Sequence, residues 1–210
     1  MPSTDDAPRH FSLMRDLRLA DFLTLANAAC GIAAVFCAML FLTARASQYF
    51  VAAVVLQVAA LVFDVLDGRV ARWRQQQSIL GRELDSLADV ISFGVAPATL
   101  AMAAGMDGGW DWVALIYFVC CGVGRLARFN VTAEQLSKGH DKVAYFEGTP
   151  IPTSVVLTAI LALAAWQGRI GDALYWGATS IGPLRLHPLV LLFVASGTMM
   201  ISRTLRIPKL

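Results

Sequence analysis

The chain has 210 residues, 57% of them hydrophobic and 15% charged, against roughly 45–50% and about 25% in soluble domains. So much apolar mass cannot be enclosed by one small water-soluble domain, and a bilayer is the natural solvent. A net charge of +2 is too small to suggest a nucleic-acid partner, so what matters is where the charges lie.

Residues 1–20 read as a cytoplasmic or interfacial arm. Apolar and basic residues alternate from Pro8 to Ala20. Phe11, Leu13, Met14, Leu17 and Leu19 either line one face of a short helix lying on the membrane or belong to a solvated arm. Asp5, Asp6 and Asp16 interrupt any pattern of a cleavable signal peptide. Residues 21–210 read as one all-α polytopic membrane domain. Its apolar runs, 21–43, 49–68, 84–104, 111–127, 151–167 and 187–202, predict six transmembrane helices. The second run carries acids at its C-terminal end, and the third carries them at its N-terminal end. Pro150 and Pro152 are placed to set the entry of the fifth helix. Segment 168–186, with four glycines and a proline, reads as an outer loop with or without a short interfacial helix. Neither an internal repeat nor a helix broken at mid-membrane is evident.

The remaining notable side chains have bland readings. Cys30, Cys37, Cys120 and Cys121 lie in apolar runs without metal-site spacing and serve as small apolar filler. His10, His140 and His187 are scattered and read as structural. The tryptophans near 110–112, 166 and 176 suit an interfacial belt.

Orientation follows from the basic residues. With six spans, one side holds both termini and loops 69–83 and 125–150. That side carries Arg9, Arg15, Arg18, Arg69, Arg72, Arg74, Arg82, Arg125, Arg128, Lys138, Lys142, Arg203, Arg206 and Lys209. The other side has Arg45, Arg169 and Arg185. The positive-inside rule makes the first side cytoplasmic, and the expectation is an integral protein of a bacterial inner membrane with both termini inside.

The chemistry concentrates in 63–97. Asp64 and Asp67 are three apart, and Asp85 and Asp89 four apart, so each pair shares one helical face. The short 69–83 connection folds the third helix back beside the second, which lets the four acids converge. One such acid at a helix centre costs roughly 2.5–3.5 kcal/mol on insertion scales, and four together repel one another unless cations neutralise them. All-oxygen ligation suits Mg2+, Mn2+ or Ca2+ rather than zinc. Acids on the last turns of a helix oppose its dipole, so helix capping does not explain Asp64 and Asp67. Arg72, one turn beyond Gly68, either pairs with a phosphate at this mouth or anchors the membrane surface. Asn27 is a lone amide in the first run. It can bond a cytosine ring or ribose, or another helix.

The pattern Asp64-x2-Asp67-Gly68-x2-Ala71-Arg72-x8-Gly81-x3-Asp85-x3-Asp89 resembles the signature of the CDP-alcohol phosphotransferase family, with every position filled. That resemblance implies six helices, a homodimer and a cytoplasmic metal site. It also implies transfer of a phosphatidyl-type group from a CDP-linked lipid to an alcohol, releasing CMP. It makes Asp64, Asp67, Asp85 and Asp89 the metal ligands and Asp89 also the general base. Gly68, Ala71, Arg72 and Gly81 would line the nucleotide pocket, with Asn27 as a further candidate.

Three flanking segments, 91–98 (ISFGVAPA), 124–132 (GRLARFNVT) and 145–154 (YFEGTPIPTS), resemble the phosphatidylserine synthase branch, which implies CDP-diacylglycerol as donor and L-serine as acceptor. Arg128, then Arg125 and Lys142, are candidates for a serine carboxylate or lipid phosphate, or else membrane-surface anchors. Glycerol 3-phosphate, inositol, inositol phosphate and choline are the alternative acceptors. A metal-binding scaffold or a transporter is the alternative outside enzymology, although a transporter would be expected to show repeats or broken helices.

Overall fold

The computed structural model describes residues 19–73, 79–137, 145–202, 204 and 206–208. Side chains are described for these except at Ala71, Ile79 and within 133–137, 145–147 and 206–208. The expected surface helix of the N-terminal arm, His10, His140 and Lys142 lie outside the described residues.

The first run forms helix α1, Leu19–Ala44, and the second forms α2, Ser47–Trp73. They make a hairpin around Arg45, whose φ of 53° turns the chain within two residues. Helix α1 buries Asp21, Thr24, Asn27, Gly31, Ala34, Ala38 and Phe41, a stripe at three- to four-residue spacing that is polar at one end and small in the middle. Small residues let the neighbouring backbones approach, as membrane helices require. On α2 the opposite face is informative. Val51, Val55, Val58 and Val62 are 59, 61, 48 and 51% exposed, while Gln57 and Asp67 on the other side are buried. A water-soluble helix would be turned the other way, so the exposed stripe is a lipid-facing surface.

The third run is one rod in three parts. Helix α3 covers Ile79–Asp89, a π-helical turn covers Val90–Val95, and α4 covers Ala96–Ala104. The π-turn is a mid-helix irregularity that hydropathy alone does not reveal, and it follows from Pro97. Proline lacks an N–H to give and disfavours continuous α geometry behind it. Here the Ala96 N–H bonds the Ile91 carbonyl, five residues back. Helix α5, Gly109–Ser137, extends well beyond the apolar run. Helix α6, Val155–Trp166, is entered through a 3-10 turn at Ile151–Ser154, behind Pro150 and Pro152, and α7, Leu191–Ile201, through another at Pro188–Val190.

Among the described residues, four helices are long and apolar enough to cross a bilayer: Leu19–Ala44, Ser47–Val70, Leu80–Ala104 and Gly109–Thr132. The protein is therefore a helical, polytopic membrane protein. The last two apolar helices, Ile151–Trp166 and Pro188–Ile201, are shorter. They pack against the long ones, α6 on α2 and α4, and α7 on α5.

Segment 168–186 differs from the interfacial helix considered for it. Its glycines place residues at positive φ, and it folds into a 3-10 turn at Gly171–Ala173 and a hairpin of β2, Thr179–Ile181, with β3, Leu184–Leu186, after Gly177. Arg185 pairs with Asp172 across this loop. The loop is fastened to the bundle by a buried joint. Asp111 accepts from the Gly108 N–H at 2.9 Å, the His187 N–H at 2.8 Å and His187 Nδ1 at 2.6 Å. His187 thus has the structural role expected of it. The exposed Trp112, Trp166 and Trp176 belong to this same end of the bundle. At the opposite end β1, Tyr145–Glu147, pairs antiparallel with β4, Arg206–Pro208.

Candidate active site

Helices α1, α2, α3 and α5 meet at the end of the bundle away from the hairpin. Oxygens of Asp64, Asp67 and Asp85 lie within 4.8 Å of one another. Asp64 and Asp67 stand on adjacent turns of α2, and Asp85 comes from the antiparallel α3, as the spacing requires. Two oxygens on opposite sides of a hard cation at about 2.1–2.5 Å lie about 4–5 Å apart, so the separation suits a shared ion. Asp67 is 4% exposed, and Asp85 keeps one buried oxygen, Oδ1, with no hydrogen-bond partner among the described residues. Buried carboxylates without compensation are costly, and an orphaned buried oxygen beside two other carboxylates suits a cation. The donor set fits a divalent ion.

Asp89 stands one turn beyond Asp85 and is 6% exposed. Its carboxyl lies within electrostatic reach of Asp64, Asp85 and Asp67, so it borders the group that the other three acids form. It receives a long bond of 3.4 Å from Asn27 Nδ2. Asn27 is fully buried, and its Oδ1 has no partner among the described residues. Of the two roles open to Asn27, the structure shows the contact to another helix, with one amide atom left over.

The other expected residues divide by place. Gly68 follows Asp67 on α2, with nothing among the described residues within 4 Å of where a Cβ would stand. Arg72 is exposed and its Nε bonds the Gly68 carbonyl one turn back at 3.0 Å. Gly81 sits one turn before Asp85. Ala71 is on α2, with its side chain outside the described set. Arg125 is half-buried on α5, close enough to Asp89 and Arg128 for their charges to act on it, and it lies over the Phe129 ring at 5.9 Å. Arg128 Nη2 donates to the Ile201 carbonyl at 3.2 Å, which ties α5 to the end of α7. Arg125 is thus a guanidinium within electrostatic reach of the acids, through Asp89.

Two residues of α1 belong to the site without having been expected. Thr24 Oγ1 donates to Asp67 Oδ2 at 2.7 Å. Asp21 is buried one turn earlier and acts on the charge of Asp67. Their signal was present: Asp21, Thr24 and Asn27 recur every three residues in an otherwise apolar run. At the rim, Ser86 Oγ bonds Asn130 Oδ1 at 3.1 Å and Asn130 Nδ2 bonds Glu83 at 3.0 Å, which joins α3 to α5.

A buried carboxylate cluster on facing membrane helices, with an arginine within electrostatic reach, is an arrangement that enzymes of phosphate-ester transfer can use with a divalent ion. The chain belongs to the CDP-alcohol phosphatidyltransferase family, whose profile matches residues 17–184. A CDP-diacylglycerol–serine O-phosphatidyltransferase of Saccharomyces cerevisiae is 43% identical over 203 residues, covering 95% of this chain and 74% of that protein. One from Helicobacter pylori is 42% identical over 131 residues, covering 61% of this chain and 53% of its own. An archaetidylserine synthase of Methanothermobacter thermautotrophicus is 34% identical over 170 residues, covering 79% and 66%.

Proposed function

We propose that this protein transfers a phosphatidyl group from CDP-diacylglycerol to the hydroxyl of L-serine, giving phosphatidylserine and CMP. The observation that carries the reading is the convergence of Asp64, Asp67 and Asp85 with Asp89 beside them, inside the family signature. The choice of serine draws on relatives of that printed activity, one of them matching 95% of this chain, and on the 91–98, 124–132 and 145–154 segments.

Asp64, Asp67, Asp85 and Asp89 are the proposed ligands of Mg2+ or Mn2+, with Ca2+ as an ion that can also bind. When bound, a divalent ion would neutralise the pyrophosphate and favour CMP as leaving group. The chain's own residues do the rest. Thr24 holds one oxygen of Asp67 so that the other faces the cluster. Asp89 takes the proton from the serine hydroxyl as its oxygen bonds the lipid-bearing phosphorus, while the bond from that phosphorus to the CMP oxygen breaks. Gly68, Ala71, Arg72, Gly81 and Asn27 are proposed to line the nucleotide pocket. Arg128, Arg125 and Lys142 are the proposed cations for the serine carboxylate or lipid phosphate.

We further propose that the two shorter apolar helices also cross, giving six spans. A 16-residue helix is only about 24 Å long against a hydrocarbon core of about 30 Å. What supports crossing is their packing within the bundle and the sidedness of the basic residues. On this reading both termini and the acid cluster face the cytoplasm, in a bacterial inner membrane, and the enzyme is a homodimer.

The test offers labelled serine, glycerol 3-phosphate, inositol, inositol phosphate and choline to purified protein with CDP-diacylglycerol and Mn2+, and follows CMP and lipid product. Serine-dependent phosphatidylserine is the expected result. Product from another acceptor with none from serine would overturn the serine assignment.

A further inference from the structure

Asp89 is the last α-helical residue before the π-turn, and that turn is held by a buried chain of polar groups that reaches Asp89 through Asn27. The Ser92 carbonyl has lost both helical donors. Its α-helical donor, the Ala96 N–H, goes to Ile91, and the residue after that is Pro97, which has no N–H. Gln57 Nε2, from α2, supplies the missing donor at 3.1 Å. Thr158, from α6, donates to Gln57 Oε1 and so fixes which way the amide points. On the other side Ser92 Oγ donates to the Asn27 carbonyl at 2.9 Å, and the Asn27 amide reaches Asp89. Gln57, Ser92, Asn27 and Thr158 are each no more than 1% exposed.

Such a chain needs a reason in a hydrocarbon setting, where an apolar core would cost less. The reason is angular. One residue inserted into a helix turns everything beyond it by about 100°. The π-turn therefore sets the angle between the acid face of α3 and the apolar face of α4, Ala96, Leu100, Ala103 and Ala104. With α4 packed, reverting the turn would swing Asp89 away from Asp64. π-turns of this kind commonly sit at functional sites.

We propose that Gln57, Ser92 and Thr158 are positioning residues for Asp89: they lock the π-turn that aims its carboxyl into the acid cluster. The inference rests on the proposed role of Asp89 as ligand and base. Gln57→Leu and Ser92→Ala remove the two bonds at little change in volume. In purified full-length protein with CDP-diacylglycerol, serine and Mn2+, each is expected to lower kcat by about tenfold to a hundredfold, the scale of a misplaced reacting group, with KM for the CDP-lipid nearly unchanged. In an Asp89→Asn background the same substitutions should add little, because residues acting through one group are not additive. Losses that simply multiply, or that fall on KM, or an unchanged kcat, would overturn the proposal. Should Gln57→Leu fail to fold, Thr158→Val deletes only the outermost hydroxyl and carries the same kcat-against-KM test.

The two readings fail differently. If Asp89→Asn alone turns over at the wild-type rate, the base assignment falls, and the network is judged by Mn2+ titration followed by electron paramagnetic resonance. Weaker Mn2+ binding by Gln57→Leu, absent in the Asp89→Asn background, sustains it; unchanged Mn2+ affinity overturns it.

Discussion

At the scale of single residues, the site is a problem in compensating buried charge. Asp67 and Asp85 have oxygens within 4.8 Å of each other and of Asp64 and are proposed to hold one ion with it and Asp89, so removing either leaves three acids and an incomplete ligand set. Asp67→Ala and Asp85→Ala are expected to abolish turnover while the protein still purifies as a folded membrane protein. Chelation should do the same and be reversed by Mn2+, as read by CMP release. Asp89→Asn retains size and one ligating oxygen but cannot take a proton. The rate should fall by roughly 10²–10⁴, the range for a lost general base, while CDP-lipid binding measured by calorimetry survives. Arg128 donates to the Ile201 carbonyl, and Arg125 lies within electrostatic reach of Asp89. Losing a charge-assisted contact costs about 1.5–3 kcal/mol, so Arg128→Ala should cut activity by about tenfold or more. Arg125→Ala should cut it at least as far, with serine KM showing which of them holds the carboxylate.

At the scale of elements, the contact between α1 and the π-turn governs the geometry. A Cβ on Gly31 would stand 2.3 Å from Ser92 Oγ and 2.8 Å from Ser92 Cα. A side chain can turn aside, but the second contact is with backbone, so Gly31→Ala must push α1 and the π-turn apart. Overpacking of this kind costs about 1–3 kcal/mol. The variant should melt at a lower temperature in detergent, and its activity should fall further than the stability loss accounts for, because the displaced turn carries Asp89. The same residue shows why a small-residue stripe matters in a membrane helix: without it neither Ser92 nor Asn27 reaches its partner.

At the scale of the whole molecule, the bundle is polarised. One end gathers carboxylates and arginines; the other is closed by a hairpin and the Asp111–His187 joint. If the acid end is cytoplasmic, single cysteines introduced in a cysteine-free background will report it in sealed inner-membrane vesicles and intact cells. Arg45→Cys and Arg169→Cys should react with an impermeant maleimide from outside the cell, and Arg72→Cys only after the membrane is opened. The pair also tests the span count. If α6 and α7 fail to cross, a cysteine at 169 will label from the same side as one at 72.

The sequence by itself determined the solvent, the apolar runs, the uneven spread of the basic residues and the spacing of the four acids. These rest on transfer free energy and on spacing along one helix, which are local properties. Asp64 and Asp67, or Asp85 and Asp89, share a face whatever else the chain does. Only the tertiary structure decided what those acids meet. Thr24 reaches Asp67 across 43 positions, and Gln57 reaches Thr158 across 101. No periodicity encodes which lone polar residue in one apolar helix faces which in another. Pro97 carries an irregularity that the apolar run did not reveal, and its form depends on Gln57 being in place to satisfy the Ser92 carbonyl that proline leaves without a donor. The hairpin at 179–186 escaped for a related reason. Glycines permit both a loop and a turn, and the choice was made by packing, where Gly108 lies against Arg185 and Asp111 holds His187.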